Sequence, residues 1–204
     1  MKLLIDERRV LAVFFLAYYA ILLAYGAAAG ATQTIFYAVF VGGAALLVAR
    51  LYGKARFGPV VLWGLAAWGL AHMVGGLVQV GGTVVYERSL GDGEFRFDKI
   101  VHFFGFGFAT LAAYELLRRT VGQDAPARSV AITAAFVGLG VGAVNETIEF
   151  LITLLPGDSN VGGFSNTGWD LVANTLGAAT AAWIAPRLER RSGAGVRPLG
   201  TARG

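Results

Sequence analysis

Long apolar stretches alternate with short polar connections along the whole chain. They occupy about residues 10–30, 34–52, 59–80, 99–117, 129–155 and 169–184. A helix needs about 20 mostly apolar residues to cross a bilayer. The pattern therefore predicts an all-α, polytopic membrane protein, a six-transmembrane-helix bundle forming one domain over residues 1–187. The sixth stretch is the shortest, and Pro186 is its expected stop, because proline cannot continue a helical ladder. Residues 188–204 read as a disordered, polar cytoplasmic tail. The first stretch follows Lys2, Arg8 and Arg9. Its long apolar core, with Tyr18, Tyr19 and Tyr25, predicts an uncleaved signal anchor rather than a signal peptide. The 81–97 connection is long enough for a hairpin or an interfacial helix that lids the bundle.

Composition agrees with this reading. Hydrophobic residues make up 56% of the 204-residue chain and charged residues 15%, well away from a soluble domain. The net charge of +4 does not point to nucleic acid, because the basic residues lie in short loops and tails. There they set orientation. Fourteen of the 17 Lys and Arg, from Lys2, Arg8 and Arg9 at the start to Arg197 and Arg203 at the end, fall in one set of connections and tails. The other set holds Arg88, Arg96 and Lys99, together with Glu87, Asp92, Glu94, Asp98 and Asp158. Both termini are therefore expected in the cytoplasm, with 81–98 and 156–168 outside, in a multi-pass protein of a bacterial plasma membrane. The absence of cysteine excludes a disulfide framework, a thiolate nucleophile and a zinc-thiolate site.

Within this apolar frame, ionisable groups stand out. Each costs at least about 2.5–3.5 kcal/mol at mid-membrane, so each marks a functional-site hypothesis. His72 lies in the third stretch, roughly 12 Å from its outer end at 1.5 Å per residue. Asp98 and His102 open the fourth stretch four residues apart. Asn145, Glu146 and Glu149 lie late in the fifth, and Asp170 and Asn174 open the sixth. All fall in the outer half of the predicted bundle. His and carboxylates at i, i+3 or i+4 on facing helices are how bundles build metal sites. His72, His102, Asp98, Glu149 and Asp170 are the expected ligands of a divalent metal, zinc, iron or manganese, with calcium favoured if oxygens dominate. The same groups suit acid–base chemistry or a proton relay, with His102, Asp98, Glu149 and Glu146 as the catalytic candidates. The segment LLPGDSNVGGFSNTGWD offers amides and hydroxyls for a phosphate, sugar or headgroup, through Asp158, Asn166 and, just beyond, Asn174. Singly, most of these residues also have ordinary roles, as interhelical hydrogen bonders or helix caps. The ordinary roles all require partners, and the nearest partners are one another.

The elements FDKIVHFFGFG, NETIEF and NTGWDLVANTLGA resemble the VanZ-like family of bacterial integral membrane proteins and are similar to the related YjdF-type family. The carriers are Asp98, Lys99 and His102; Glu146 or Glu149; and Asp170, Asn174 and Gly177. The resemblance covers about residues 70–180, and HMVGG around His72 looks closer to the YjdF type. The usual VanZ-type Glu-x-x-Gln is replaced by Glu146-x-x-Glu149. The resemblance implies a compact bacterial-type membrane domain and little chemistry.

Three function classes follow. One is an outward-facing enzyme, a metal-dependent hydrolase or transferase acting on a membrane lipid or lipid-linked envelope substrate through an activated water. Another is a non-catalytic envelope module that holds an ion or headgroup. The third is a proton-coupled transporter. The polar residues stop in one half of the bundle, which counts against a through-path. Oligomeric state is not legible in the sequence.

Overall fold

The structure is a computed structural model. It describes residues 5–91, 95–122, 124–154 and 163–191. Asp92, Glu94, Asp158 and the 192–204 part of the expected tail lie outside the described residues.

Six helices make up the described chain: α1 Ile5–Ala28, α2 Thr34–Ala55, α3 Pro59–Leu77, α4 Phe97–Val121, α5 Ala127–Thr153 and α6 Phe164–Arg191. The first five are long and apolar enough to cross a membrane. The helix surfaces are far more apolar than those of a soluble protein. Leu46, Phe136, Val144 and Leu176 are exposed on helix faces, whereas Asp98, Lys99, His102, Glu146, Asp170 and Asn174 are buried. Apolar side chains facing outward, with the ionisable groups held inside beside an apolar core, are what lipid contact requires, since hydrocarbon solvates the former and not the latter.

Successive helices run antiparallel. At one end, hereafter the terminal end, α3 starts where α4 finishes. Gly58 and Pro59 open α3 in the N-cap and N1 positions, and the Gly58 N–H donates to Glu115 Oε2 at 2.7 Å. At the other end α3 runs into a small hairpin, β1 Gln79–Val80 paired with β2 Thr83–Val84. Gly81 and Gly82 both have positive φ, 65° and 87°, the requirement of the tight turn whose twist suits a two-residue hairpin. A 3-10 turn, Val85–Glu87, follows and leads to α4. Of the two expectations for this connection, the hairpin is the one present among the described residues, and Gly81-Gly82 form its turn.

α4 is central and packs against α3, α5 and α6. α6 buries Asp170, Ala173, Asn174, Gly177, Ala178, Ala181 and Ala185, a stripe at helical spacing made of polar and small residues. Its outward face carries Leu171, Val172, Leu176 and Trp183. At Gly177 an added Cβ would stand 2.0 Å from the Phe103 carbonyl oxygen, so α4 and α6 cross almost backbone to backbone.

α6 is longer than the 169–184 stretch at both ends. It passes through Pro186 and ends at Arg191, so residues 188–191 are helical rather than part of a disordered tail. The tertiary contacts outweigh the missing proline N–H. Glu189 accepts from Arg118 Nε at 2.9 Å and from the Tyr114 hydroxyl at 2.5 Å, which ties the last turns to α4. Arg118 is itself buried and donates to the carbonyls of Gly122 and Ala125, fixing the α4–α5 connection.

Candidate functional site

The polar residues converge at the hairpin end, between α4, α5 and α6. His102, on the second turn of α4, is the centre. Its Nδ1 lies 3.1 Å from Asn174 Oδ1 and 3.3 Å from Glu146 Oε1, both acceptors. That arrangement places the ring proton on Nδ1. The lone pair on Nε2 then faces Asp170 Oδ1 at 3.7 Å and Glu149 Oε1 at 3.9 Å. Both separations exceed a hydrogen bond. Two ligands each about 2.1 Å from one cation stand roughly 3–4 Å apart, so the same spacing fits a shared ion.

The carboxylates are positioned by their own neighbours. Asn145 donates to Glu149 Oε1 at 2.8 Å from one turn back on α5. Asn174 Nδ2 donates to Glu146 Oε1 at 3.2 Å, so one amide joins histidine and glutamate across α4, α5 and α6. Glu146 Oε2 is buried and finds no hydrogen-bond partner among the described residues. His102, Glu146, Glu149 and Asp170 each offer one ligand atom within 4.8 Å of the others, a grouping capable of holding a metal ion. The Glu149 side chain is 17% exposed and the other three are 8% or less, so access from outside passes Glu149.

Lys99 closes the cluster. Its ammonium donates to Asp98 Oδ2 at 2.8 Å, Asn166 Oδ1 at 2.7 Å and Asp170 Oδ1 at 2.7 Å. Three donors meet three acceptors, which is what a buried ammonium needs. Asp98 also takes the Lys99 backbone N–H at 2.7 Å, and Asn166 Nδ2 donates to Asp170 Oδ2 at 2.6 Å. Asp98 is thus committed to Lys99 and to the start of α4. Four carboxylates, Asp98, Glu146, Glu149 and Asp170, face one lysine and one histidine. An uncompensated buried charge is expensive, and a bound cation is a direct way to offset it.

His72 is buried but stands apart from the four-residue grouping. Its ring stacks on Trp68 with centroids 5.3 Å apart and touches Tyr37, Phe40 and Tyr86. The Tyr86 hydroxyl bonds His72 Nδ1. Burial pushes the Tyr86 hydroxyl well above its ordinary pKa, with Tyr37 and the carboxylates nearby adding to the effect. A neutral phenol therefore donates to Nδ1, which leaves the His72 proton on Nε2, buried and without a partner among the described residues. Tyr86 reaches this position because the hairpin folds its 3-10 turn over α3 onto Gly75, where an added Cβ would stand 2.3 Å from the Tyr86 ring.

Of the residues singled out from sequence, His102, Glu146, Glu149, Asp170 and Asn174 meet in one cluster. Asp98 and Asn166 join it through Lys99, His72 lies beside it among aromatic rings, and Asp158 falls outside the described residues. Asn145, expected as a hydrogen bonder, is the one that holds Glu149. Lys99 and Tyr86 were missed as participants. Lys99 had a signal, its place inside the Asp-Lys-x-x-His element. Tyr86 had none, because a loop tyrosine gives no hint of where it folds.

The family described as a predicted membrane protein (DUF2238) matches residues 10–191. No curated protein and no solved structure matches the chain.

Proposed function

This chain belongs to the DUF2238 family of predicted membrane proteins, and we propose that its polar cluster is a divalent-cation site. His102, Glu149 and Asp170 hold the ion, and Glu146 completes the acidic set. The observation that carries the reading is the His102 ring. Its Nδ1 is engaged by Asn174 and Glu146, and its Nε2 lies between two carboxylates too distant for hydrogen bonds. One imidazole with three carboxylates suits manganese or iron first, and zinc with them. Such an ion supplies an activated water for hydrolysis or group transfer. The site sits inside a membrane-spanning bundle, so the substrate class is a membrane lipid or lipid-linked envelope compound.

Two further points belong to this reading. The apolar outward face of α6, with Leu171, Val172, Leu176 and Trp183, supports α6 as a sixth span despite its polar interior face. The bias of Lys and Arg toward the terminal end supports cytoplasmic termini in a bacterial plasma membrane, with the cluster at the outer face. The likeness to VanZ-like and YjdF-type proteins is supported by the meeting of Asp98, Lys99, His102, Glu146, Glu149, Asp170 and Asn174 around one centre.

Elemental analysis of the detergent-solubilised protein tests the site, with wild type beside His102→Ala and Glu149→Gln. Stoichiometric manganese, iron or zinc in the wild type, lost in both variants, is the expected result. A wild type that takes up no metal after reconstitution would sink the reading and leave a structural hydrogen-bond cluster.

A further inference from the structure

We propose that the cleft at the terminal end of the bundle, between the start of α3 and the last turns of α4 and α6, binds the phosphate headgroup of an anionic phospholipid. The cleft encloses about 480 Å³. It lies at the opposite end from His102, and the proposal stands independently of the cation site.

The polar wall carries Arg56, Arg118, Arg119 and Arg191 against Glu115 and Glu189. The two glutamates are engaged. Glu189 takes Arg118 Nε and the Tyr114 hydroxyl, and Glu115 takes the Gly58 N–H with the charge of Arg119 beside it. Arg118 spends its remaining reach on the carbonyls of Gly122 and Ala125. Arg119 is not satisfied in this way. Its Nε is buried and finds no acceptor among the described residues, and its Nη2 makes a long 3.4 Å bond to the Arg56 carbonyl. Four arginines against two glutamates leave a positive excess around that donor. A guanidinium presents parallel N–H groups that match phosphate oxygens in a bidentate fork.

The apolar part of the lining makes the anion a lipid. It is formed by Val60, Val61, Leu111, Ala185 and Leu188, and Val60 is 55% exposed. A phospholipid presents this order of chemistry at a bilayer surface, with phosphate at the level of the helix ends and hydrocarbon below. Basic pockets between membrane helices recognise anionic headgroups by the same logic. A soluble phosphate would gain nothing from the valines and leucines.

The test uses the purified full chain in a neutral detergent, read by native mass spectrometry and by thermal unfolding. The probes are dioleoyl phosphatidylglycerol, dioleoyl phosphatidylcholine and inorganic phosphate. Phosphatidylglycerol is expected to bind saturably and raise the unfolding midpoint, and phosphatidylcholine to do neither. Arg119→Gln should weaken phosphatidylglycerol by about tenfold or more, the effect of losing a charged hydrogen bond. Arg56→Gln, at an exposed rim position, should weaken it as well and keeps the test intact if Arg119→Gln does not fold. Arg88→Gln, at the hairpin end, should leave it unchanged. Equal binding of the two lipids, or phosphatidylglycerol affinity unaltered in the foldable rim variant, overturns the proposal. So does inorganic phosphate stabilising the protein as much as the lipid, which would assign the cleft to a free anion.

Discussion

Replacing Gly177 by alanine probes the packing on which the His102 cluster depends. The new Cβ would lie 2.0 Å from the Phe103 carbonyl oxygen and 2.9 Å from its carbon, both backbone atoms that no rotamer change can move. An unstrained non-bonded contact lies near 3.5 Å, so α4 and α6 must part by more than about 1 Å. Overpacking of this kind costs about 1–3 kcal/mol. The same movement carries His102, one residue before Phe103, away from Asn174, one turn before Gly177. Their 3.1 Å hydrogen bond would then exceed bonding range, adding about 0.5–1.5 kcal/mol. The control sits at the same crossing. An alanine at Gly107 meets the Gly177 carbonyl oxygen at 3.4 Å, an ordinary contact. Alanine is a better helix former than glycine by about 0.5–1 kcal/mol at either position, so a difference between the two variants comes from packing. Thermal unfolding in detergent should show Gly177→Ala several degrees below wild type and Gly107→Ala at or above it, with metal uptake impaired in the first alone. A Gly177→Ala protein that unfolds with the wild type, or a Gly107→Ala protein damaged as badly, would refute this account of the crossing.

The remaining predictions concern buried partners. Lys99→Met leaves Asp98 and Asp170 without their cation and should cost about 3–5 kcal/mol in unfolding experiments, with part recovered in Lys99→Met/Asp170→Asn. Arg118→Met should cost a similar amount, about 3–5 kcal/mol, and should speed proteolysis in the α4–α5 connection, whose Gly122 and Ala125 carbonyls it holds. Tyr86→Phe keeps the ring against Gly75 but removes the donor to His72, and should cost about 1–3 kcal/mol by thermal unfolding. Tyr86→Ala should cost more, about 3–5 kcal/mol, because it also opens a cavity.

Much of the architecture was legible because a bilayer imposes a simple length and polarity rule. The stretches 10–30, 34–52 and 59–80 had to hold helices, although α3 stops at Leu77 and Gln79–Val80 pair in the hairpin instead, and the polar residues had to gather where hydrocarbon could not reach them. The gathering of His102, Glu146, Glu149, Asp170 and Asn174 followed from their shared depth. Depth, however, does not specify rotation about a helix axis. Glu146 and Glu149, three residues apart, both fit a face toward His102. The packing of α5 set one against Nδ1 and the other against Nε2. Lys99 read as an interfacial charge, yet three oxygens from α4 and α6 draw its ammonium inside. His72 shares the depth of the cluster, but its aromatic neighbours and a tyrosine from the hairpin hold it to one side. Pro186 read as a helix end, and contacts from Arg118 and Tyr114 carried α6 past it. The sequence by itself determined that six segments are helical, about where they lie, and at which end the polar groups collect, because those depend on local hydropathy and spacing. Which atoms face one another was decided by the tertiary structure, because it depends on how close α4 and α6 approach at Gly177 and how each helix is turned when they meet.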